Sequence, residues 1–118
     1  MPTLLIADDS MFQRFNLSKT ARDAGFEVME AANGRETLEM AAAHAPDVLL
    51  LDLNMPDMGG VEALEKLAAS GKSPKVLVVT ADIQETTRQR CLKLGVAGFL
   101  NKPVDEEALR RQLELLVS

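Results

Sequence analysis

A chain of 118 residues that is 47% hydrophobic can form one domain with a sizeable core, and at 3% aromatic content that core has to be aliphatic. A formal net charge of -5 argues against nucleic-acid binding, which needs clustered Lys and Arg. The single cysteine, Cys91, excludes an internal disulfide, and the chain has neither a signal-peptide pattern nor an apolar run near the ~20 residues of a membrane span; the expectation is a soluble, cytoplasmic protein.

Short apolar runs alternate with longer amphipathic stretches. Thr3–Ala7 reads as a strand that stops at Asp8 and Asp9. Ser10 can cap a helix through Ala24, with Leu17, Ala21 and Ala24 at helical spacing and Gly25 closing it. Glu27–Ala31 is a second strand. Asn33-Gly34 reads as a turn, followed by a helix to about Ala43 carrying Leu38 and Ala42. Val48–Leu51 is an unbroken Val/Leu run ending at Asp52, the pattern of a central strand covered on both faces. A loop over residues 54–60 leads into a third helix marked by Val61, Leu64 and Leu67, which Ser73-Pro74 is expected to break. Residues 75–79 form a fourth strand ending at Thr80. A helix over 84–94 follows, with Ile83, Thr87, Cys91 and Leu94 along one side and Gly95 stopping it. Residues 98–100 make a short fifth strand before Lys102-Pro103, and Asp105 can cap a last helix with Leu109, Leu113 and Leu116.

This alternation predicts an α/β fold, a doubly wound five-stranded parallel sheet with helices on both faces. The flavodoxin-like strand order 2-1-3-4-5 is the expectation by analogy. One domain spans residues 1–118, with no repeat, linker or low-complexity segment.

The polar residues fall at strand ends. Asp8 and Asp9 end the first strand, Asp52 the third and Thr80 the fourth, and Lys102 follows the fifth. Sites in open α/β sheets form beyond the carboxyl ends of the strands, where the strand order reverses. In the expected order, three carboxylates meet there beside a hydroxyl and an ammonium. Two such charges ~5 Å apart repel by about 3 kcal/mol at an effective dielectric of 20, so a proton or a cation is called for. A hard all-oxygen site suits Mg²⁺, and the only histidine, His44, lies at a helix end far along the chain, which disfavours zinc. A carboxylate beside Mg²⁺ and a lysine can act as nucleophile toward a phosphoryl group.

Four blocks carry a resemblance over essentially the whole chain: Leu5-Ile6-Ala7-Asp8-Asp9-Ser10, Leu49-Leu50-Leu51-Asp52-Leu53-Asn54-Met55-Pro56, Val78-Val79-Thr80-Ala81 and Gly98-Phe99-Leu100-Asn101-Lys102-Pro103. In this order and spacing they resemble the response-regulator receiver domains of two-component signalling, with the CheY-like fold. The resemblance implies Asp52 as phosphoacceptor. It implies that Mg²⁺ is bound by Asp9, Asp52 and the backbone carbonyl of Asn54, with Asp8 acting through a metal-bound water. Lys102 is then the phosphoryl contact, preceding a cis Pro103; Thr80, within the Thr80-Ala81 block, and Phe99 form the switch; and Asn54 and Asp82 tune dephosphorylation. The implied partners are a histidine kinase or a histidine-containing phosphotransfer protein as donor, and a downstream protein docking on the face of the fourth helix, fifth strand and fifth helix. The 80–86 stretch resembles chemotaxis-related receivers, some joined to a CheC-type phosphatase. One departure is Gly59, where receivers usually carry Asp; a small stability effect is expected. Asn16 and Thr20 stand where similar chains are often apolar, which predicts a less tightly packed first helix.

Each residue also has a plainer reading. Asp8 and Asp9 can cap the first helix, Phe99 can be core, and Cys91 is a small residue in helix packing. Asp52 and Lys102 complete a set that capping does not need. A rival enzyme reading is a Mg²⁺-dependent phosphohydrolase with an aspartyl-phosphate intermediate. Such enzymes carry a second Asp where this chain has Asn54, and no cap domain is visible in the sequence. A pseudo-receiver that binds partners without phosphorylation conflicts with the intact set of Asp8, Asp9, Asp52, Thr80 and Lys102. The elements use nearly all residues, leaving two readings: a single-domain regulator, or a receiver cut from a longer protein with an output domain.

Overall fold

A computed structural model describes residues 1–71, 74–81 and 83–117. Five strands, β1 (Thr3–Ala7), β2 (Glu27–Ala31), β3 (Val48–Leu51), β4 (Lys75–Thr80) and β5 (Gly98–Asn101), alternate with five helices. These are α1 (Met11–Asp23), α2 (Gly34–His44), α3 (Gly60–Ala69), α4 (Glu85–Lys93) and α5 (Glu106–Val117). The strands form one parallel sheet in the order β2-β1-β3-β4-β5, as expected.

The two-residue period of the strands divides the core into two layers. Leu5, Leu49, Leu51, Val76 and Val78 face Leu64 and Leu67 of α3 and Cys91 of α4. Leu4, Ile6, Val48, Leu50, Leu77 and Val79 face Leu17 and Ala21 of α1 and Leu109 and Leu113 of α5. All four residues of β3 are buried, which is why its run lacks polar alternation. Cys91 is fully buried, in keeping with the packing role read for it.

Several boundaries differ from the sequence expectation. Asn33 is the N-cap of α2 and not a free turn: its side chain accepts from the Glu36 N–H at 2.8 Å, while Glu36 accepts from the Ala32 N–H at 2.8 Å. An Asn-Gly pair serves either role, and Glu36 three residues on decides for the cap. The helix continues to His44 and ends on Ala45 in the left-handed region at φ 45°. α3 stops at Ala69, ahead of Pro74, with Gly71 at φ 77°; Ser73 lies outside the described residues. Gln84 and Leu94 flank α4 as caps, and β5 runs one residue further, to Asn101. Thr20, expected to loosen α1, is buried, and its hydroxyl lies 3.3 Å from Glu106 Oε1 and 3.4 Å from the Asn16 carbonyl. The apolar residues α1 leaves in solvent are Met11, Phe12 and Phe15.

Gly60 is required by a close approach that composition does not reveal. A Cβ there would sit 2.6 Å from the Asp52 carbonyl oxygen and 2.7 Å from Leu53 Cα, both backbone atoms. The first turn of α3 is thereby pressed against the chain immediately after β3. Gly60→Ala is expected to destabilise the fold by about 1–3 kcal/mol, the range for overpacking a site that cannot yield. Gly59→Ala, whose Cβ would meet nothing nearer than the Leu53 carbonyl at 3.7 Å, should cost less than about 1 kcal/mol. Urea unfolding of the two variants side by side checks the contrast.

Candidate functional site

β1 and β3 are neighbours at the point where the strand order reverses, and Ala7 pairs with Leu51. The next residue of each strand is an aspartate, so the register sets Asp8 beside Asp52. Backbone bonds hold both: Asp8 N–H donates to the Ala31 carbonyl at 3.1 Å and Asp52 N–H to the Ala7 carbonyl at 2.9 Å. Asp9 follows at the mouth. One carboxylate oxygen from each of Asp8, Asp9 and Asp52 lies within 4.8 Å of the others. Asp8 and Asp52 are buried and Asp9 is exposed.

Lys102 enters from the end of β5. Its Nζ lies 3.0 Å from Asp8 Oδ2 and 3.4 Å from Asp52 Oδ2, and its backbone N–H donates to the Thr80 carbonyl at 2.9 Å. The Lys102–Pro103 peptide is cis. Asp8 Oδ1 accepts from the Ser10 N–H at 2.9 Å, and Asp52 Oδ1 from the Asn54 N–H at 3.1 Å. Three carboxylates against one ammonium leave an anionic excess at the mouth.

Burial raises the Asp52 pKa from its ordinary value, and the Asp8 charge adds to this; the Asn54 N–H and the Lys102 ammonium pull the other way. For Lys102, burial works to lower the pKa, but its bonds and charge attraction to Asp8 and Asp52 raise it on balance. Lys102 is therefore a fixed positive charge at neutral pH.

The structure brings Asp8, Asp9, Asp52 and Lys102 together at one sheet edge, with Thr80 buried at the end of β4. Asn54 is exposed in the loop after Asp52, and Ala81 is exposed after Thr80. Phe99 lies further back along β5, paired with Val78, half-buried against the core and covered by the Arg88 guanidinium 4.6 Å from its ring centre. Asp82 lies outside the described residues. Sequence reasoning missed Arg14, Ser10 as a donor to Asp8, and Arg88. The Arg14 Nη1 donates to the Asp8 carbonyl at 2.6 Å and its Nε to Glu30 Oε1 at 3.0 Å. The Ser10 bond is local, an aspartate side chain accepting from the N–H two residues on, and Asp8 before Ser10 is its signal. No local pattern marks Arg14 or Arg88, whose partners Glu30 and Phe99 lie on other elements.

These features define a phosphoacceptor module built on a doubly wound sheet. The family model for the response regulator receiver domain matches residues 4–114, and the chain belongs to that family. The chemotaxis protein CheY of Listeria monocytogenes is 36% identical over 115 residues, covering 97% of both chains. Chemotaxis protein CheY4 of Vibrio cholerae superposes with a TM-score of 0.91 at 34% identity over 98% of both chains. A CheX–CheY–BeF3–Mg²⁺ complex from Borrelia burgdorferi contains a chain similar at TM-score 0.92 and 28% identity, covering 99% of this chain and 90% of that one. Among the described residues no helix is long and apolar enough to cross a membrane.

The raised Asp52 pKa has a consequence for the metal-free protein. A carboxyl whose folded pKa exceeds its unfolded value favours folding most below the unfolded pKa, and that contribution disappears as pH rises through the folded pKa. When ionised, Asp52 is thus a buried charge the fold is better without. In chelator, Asp52→Asn should unfold at higher urea than wild type at pH 7–8, with the gap shrinking as pH falls through the carboxylate range. Equilibrium unfolding across pH tests this.

Proposed function

We propose that Asp52 is the phosphoacceptor, within a site that holds Mg²⁺ through Asp8, Asp9, Asp52 and the backbone carbonyl of Asn54. The observation that carries the reading is the convergence of three carboxylates from two strand ends beside one lysine. The donor set is all oxygen, which fits a hard divalent cation. When bound, Mg²⁺ supplies charge neutralisation for the oxygens of the transferring group. The Borrelia relative, solved with Mg²⁺ and BeF3, supports a cation and a phosphoryl-like group in such a site.

The chain's own residues do the rest. An Asp52 carboxylate oxygen attacks phosphorus, and the phosphorus–nitrogen bond to the donor imidazole breaks as the new oxygen–phosphorus bond forms. Lys102, shared between Asp8 and Asp52 beforehand, turns to the arriving phosphoryl oxygens. The Thr80 hydroxyl takes a further oxygen at the Thr80-Ala81 turn, and Phe99 moves inward behind it. Donors are a histidine kinase or a histidine phosphotransfer protein. A downstream protein reads the altered α4-β5-α5 face. Moving this equilibrium from mostly off to mostly on needs about 3–5 kcal/mol of differential binding. Asn54, exposed beside Asp52, and Asp82 tune the lifetime of the phosphoryl group. Asn54 in place of an acid/base aspartate favours a signalling acceptor over a hydrolase that turns over.

Incubation with acetyl phosphate and Mg²⁺ should add one phosphoryl group by intact mass, and Asp52→Asn should add none. An adduct surviving that substitution identifies a different acceptor, and steady turnover of a phosphomonoester restores the hydrolase reading. The switch reading predicts a gain of function as well. The Arg88 contact on the Phe99 ring is worth about 0.5–1 kcal/mol at a partly exposed site. Arg88→Ala should therefore raise affinity for beryllofluoride about two- to fivefold, measured by titration; unchanged affinity disconnects Phe99 from the site.

A further inference from the structure

Asp8 is held from every side. Its backbone N–H donates to the Ala31 carbonyl, its carboxylate accepts from the Ser10 N–H and from Lys102, and its carbonyl accepts from Arg14 at 2.6 Å. Asp9 differs: among the described residues, no hydrogen bond or ion pair reaches its carboxylate, and it is exposed. Asp9 is therefore aimed by the peptide that joins it to Asp8. The oxygen of that peptide is the atom that Arg14 grips. Arg14 is well placed to be rigid, with its side chain only 14% exposed and its Nε donating to Glu30 Oε1 at 3.0 Å. A single guanidinium thus ties the first turns of α1 to the end of β1 and to β2, and its planar fork fixes both directions at once.

We propose that Arg14 is a positioning residue for the cation site, orienting Asp9 through the Asp8 carbonyl. The inference rests on the reading above that Asp9 is a Mg²⁺ ligand. It makes a prediction opposite in sign to simple electrostatics. Arg14 is a positive charge beside a cation site, so neutralising it should by charge alone tighten Mg²⁺ binding. Loss of an orienting partner behind a metal ligand should instead weaken binding, typically by about tenfold or more.

Mg²⁺ affinity of the whole chain, measured by calorimetry for wild type, Asp9→Asn, Arg14→Gln and Arg14→Lys, separates the cases. Arg14→Gln should bind Mg²⁺ about tenfold more weakly, with the apo form still folded by circular dichroism. Arg14→Lys keeps the charge but not the fork, and should also bind more weakly than wild type. Unchanged or tighter binding in Arg14→Gln overturns the proposal, and if that variant does not fold, wild-type affinity in Arg14→Lys overturns it. A wild-type chain without Mg²⁺ affinity, or Asp9→Asn binding as wild type does, instead defeats the underlying reading of Asp9 as a ligand.

Discussion

Like charges held together against their repulsion are what this molecule is arranged around. The carboxylates of Asp8, Asp9 and Asp52 share a space in which their oxygens lie within 4.8 Å. Each pair repels by a few kcal/mol at the effective dielectric of a protein surface. Lys102 offsets part of this by bridging Asp8 and Asp52, and the remainder is left as attraction for a cation. The cost is borne by the sheet. Asp8 and Asp52 cannot move apart because each continues a buried strand whose partner is fixed in register by the other.

That rigidity is unevenly distributed. β1, β3 and β4 are nearly encased, whereas every residue of β5 has some access to solvent, and the one buried residue of α4 is Cys91. Elements with little buried apolar area open most readily. The charged cluster thus sits at the end of the stiff part of the sheet, and the surface proposed to respond lies on the compliant part. Lys102 joins the two: its ammonium bridges Asp8 and Asp52, and its backbone N–H bonds the Thr80 carbonyl at the end of β4. In the proposed function, a phosphoryl group drawing Thr80 and Lys102 together would act on a boundary between firm and yielding packing.

Much of this was legible before any coordinates. Strand runs that stop at Asp8, Asp52 and Thr80 announce the elements and set polar residues at their carboxyl ends. Asn33 reads as a turn from its neighbours because Asn-Gly is ambiguous until the Glu36 bond back to Ala32 is in view. Arg14 gave no signal, since an arginine at that helical position is ordinary until its reach to the Asp8 carbonyl and Glu30 is known. The same holds for Arg88, whose contact with Phe99 links a helix to a strand eleven residues on.

The amino-acid sequence by itself determined the number and type of elements, the aliphatic core and the set of acidic, hydroxyl and basic residues at strand ends. Those follow from local periodicity and from the resemblance to receiver domains. Tertiary structure alone decided which side chains meet, that Gly60 has no room for a Cβ, and that Arg14 reaches both the Asp8 carbonyl and Glu30. The reason is physical. Side-chain period is encoded within a few residues, whereas contact between strand ends and helix faces depends on how the packed layers lie against one another.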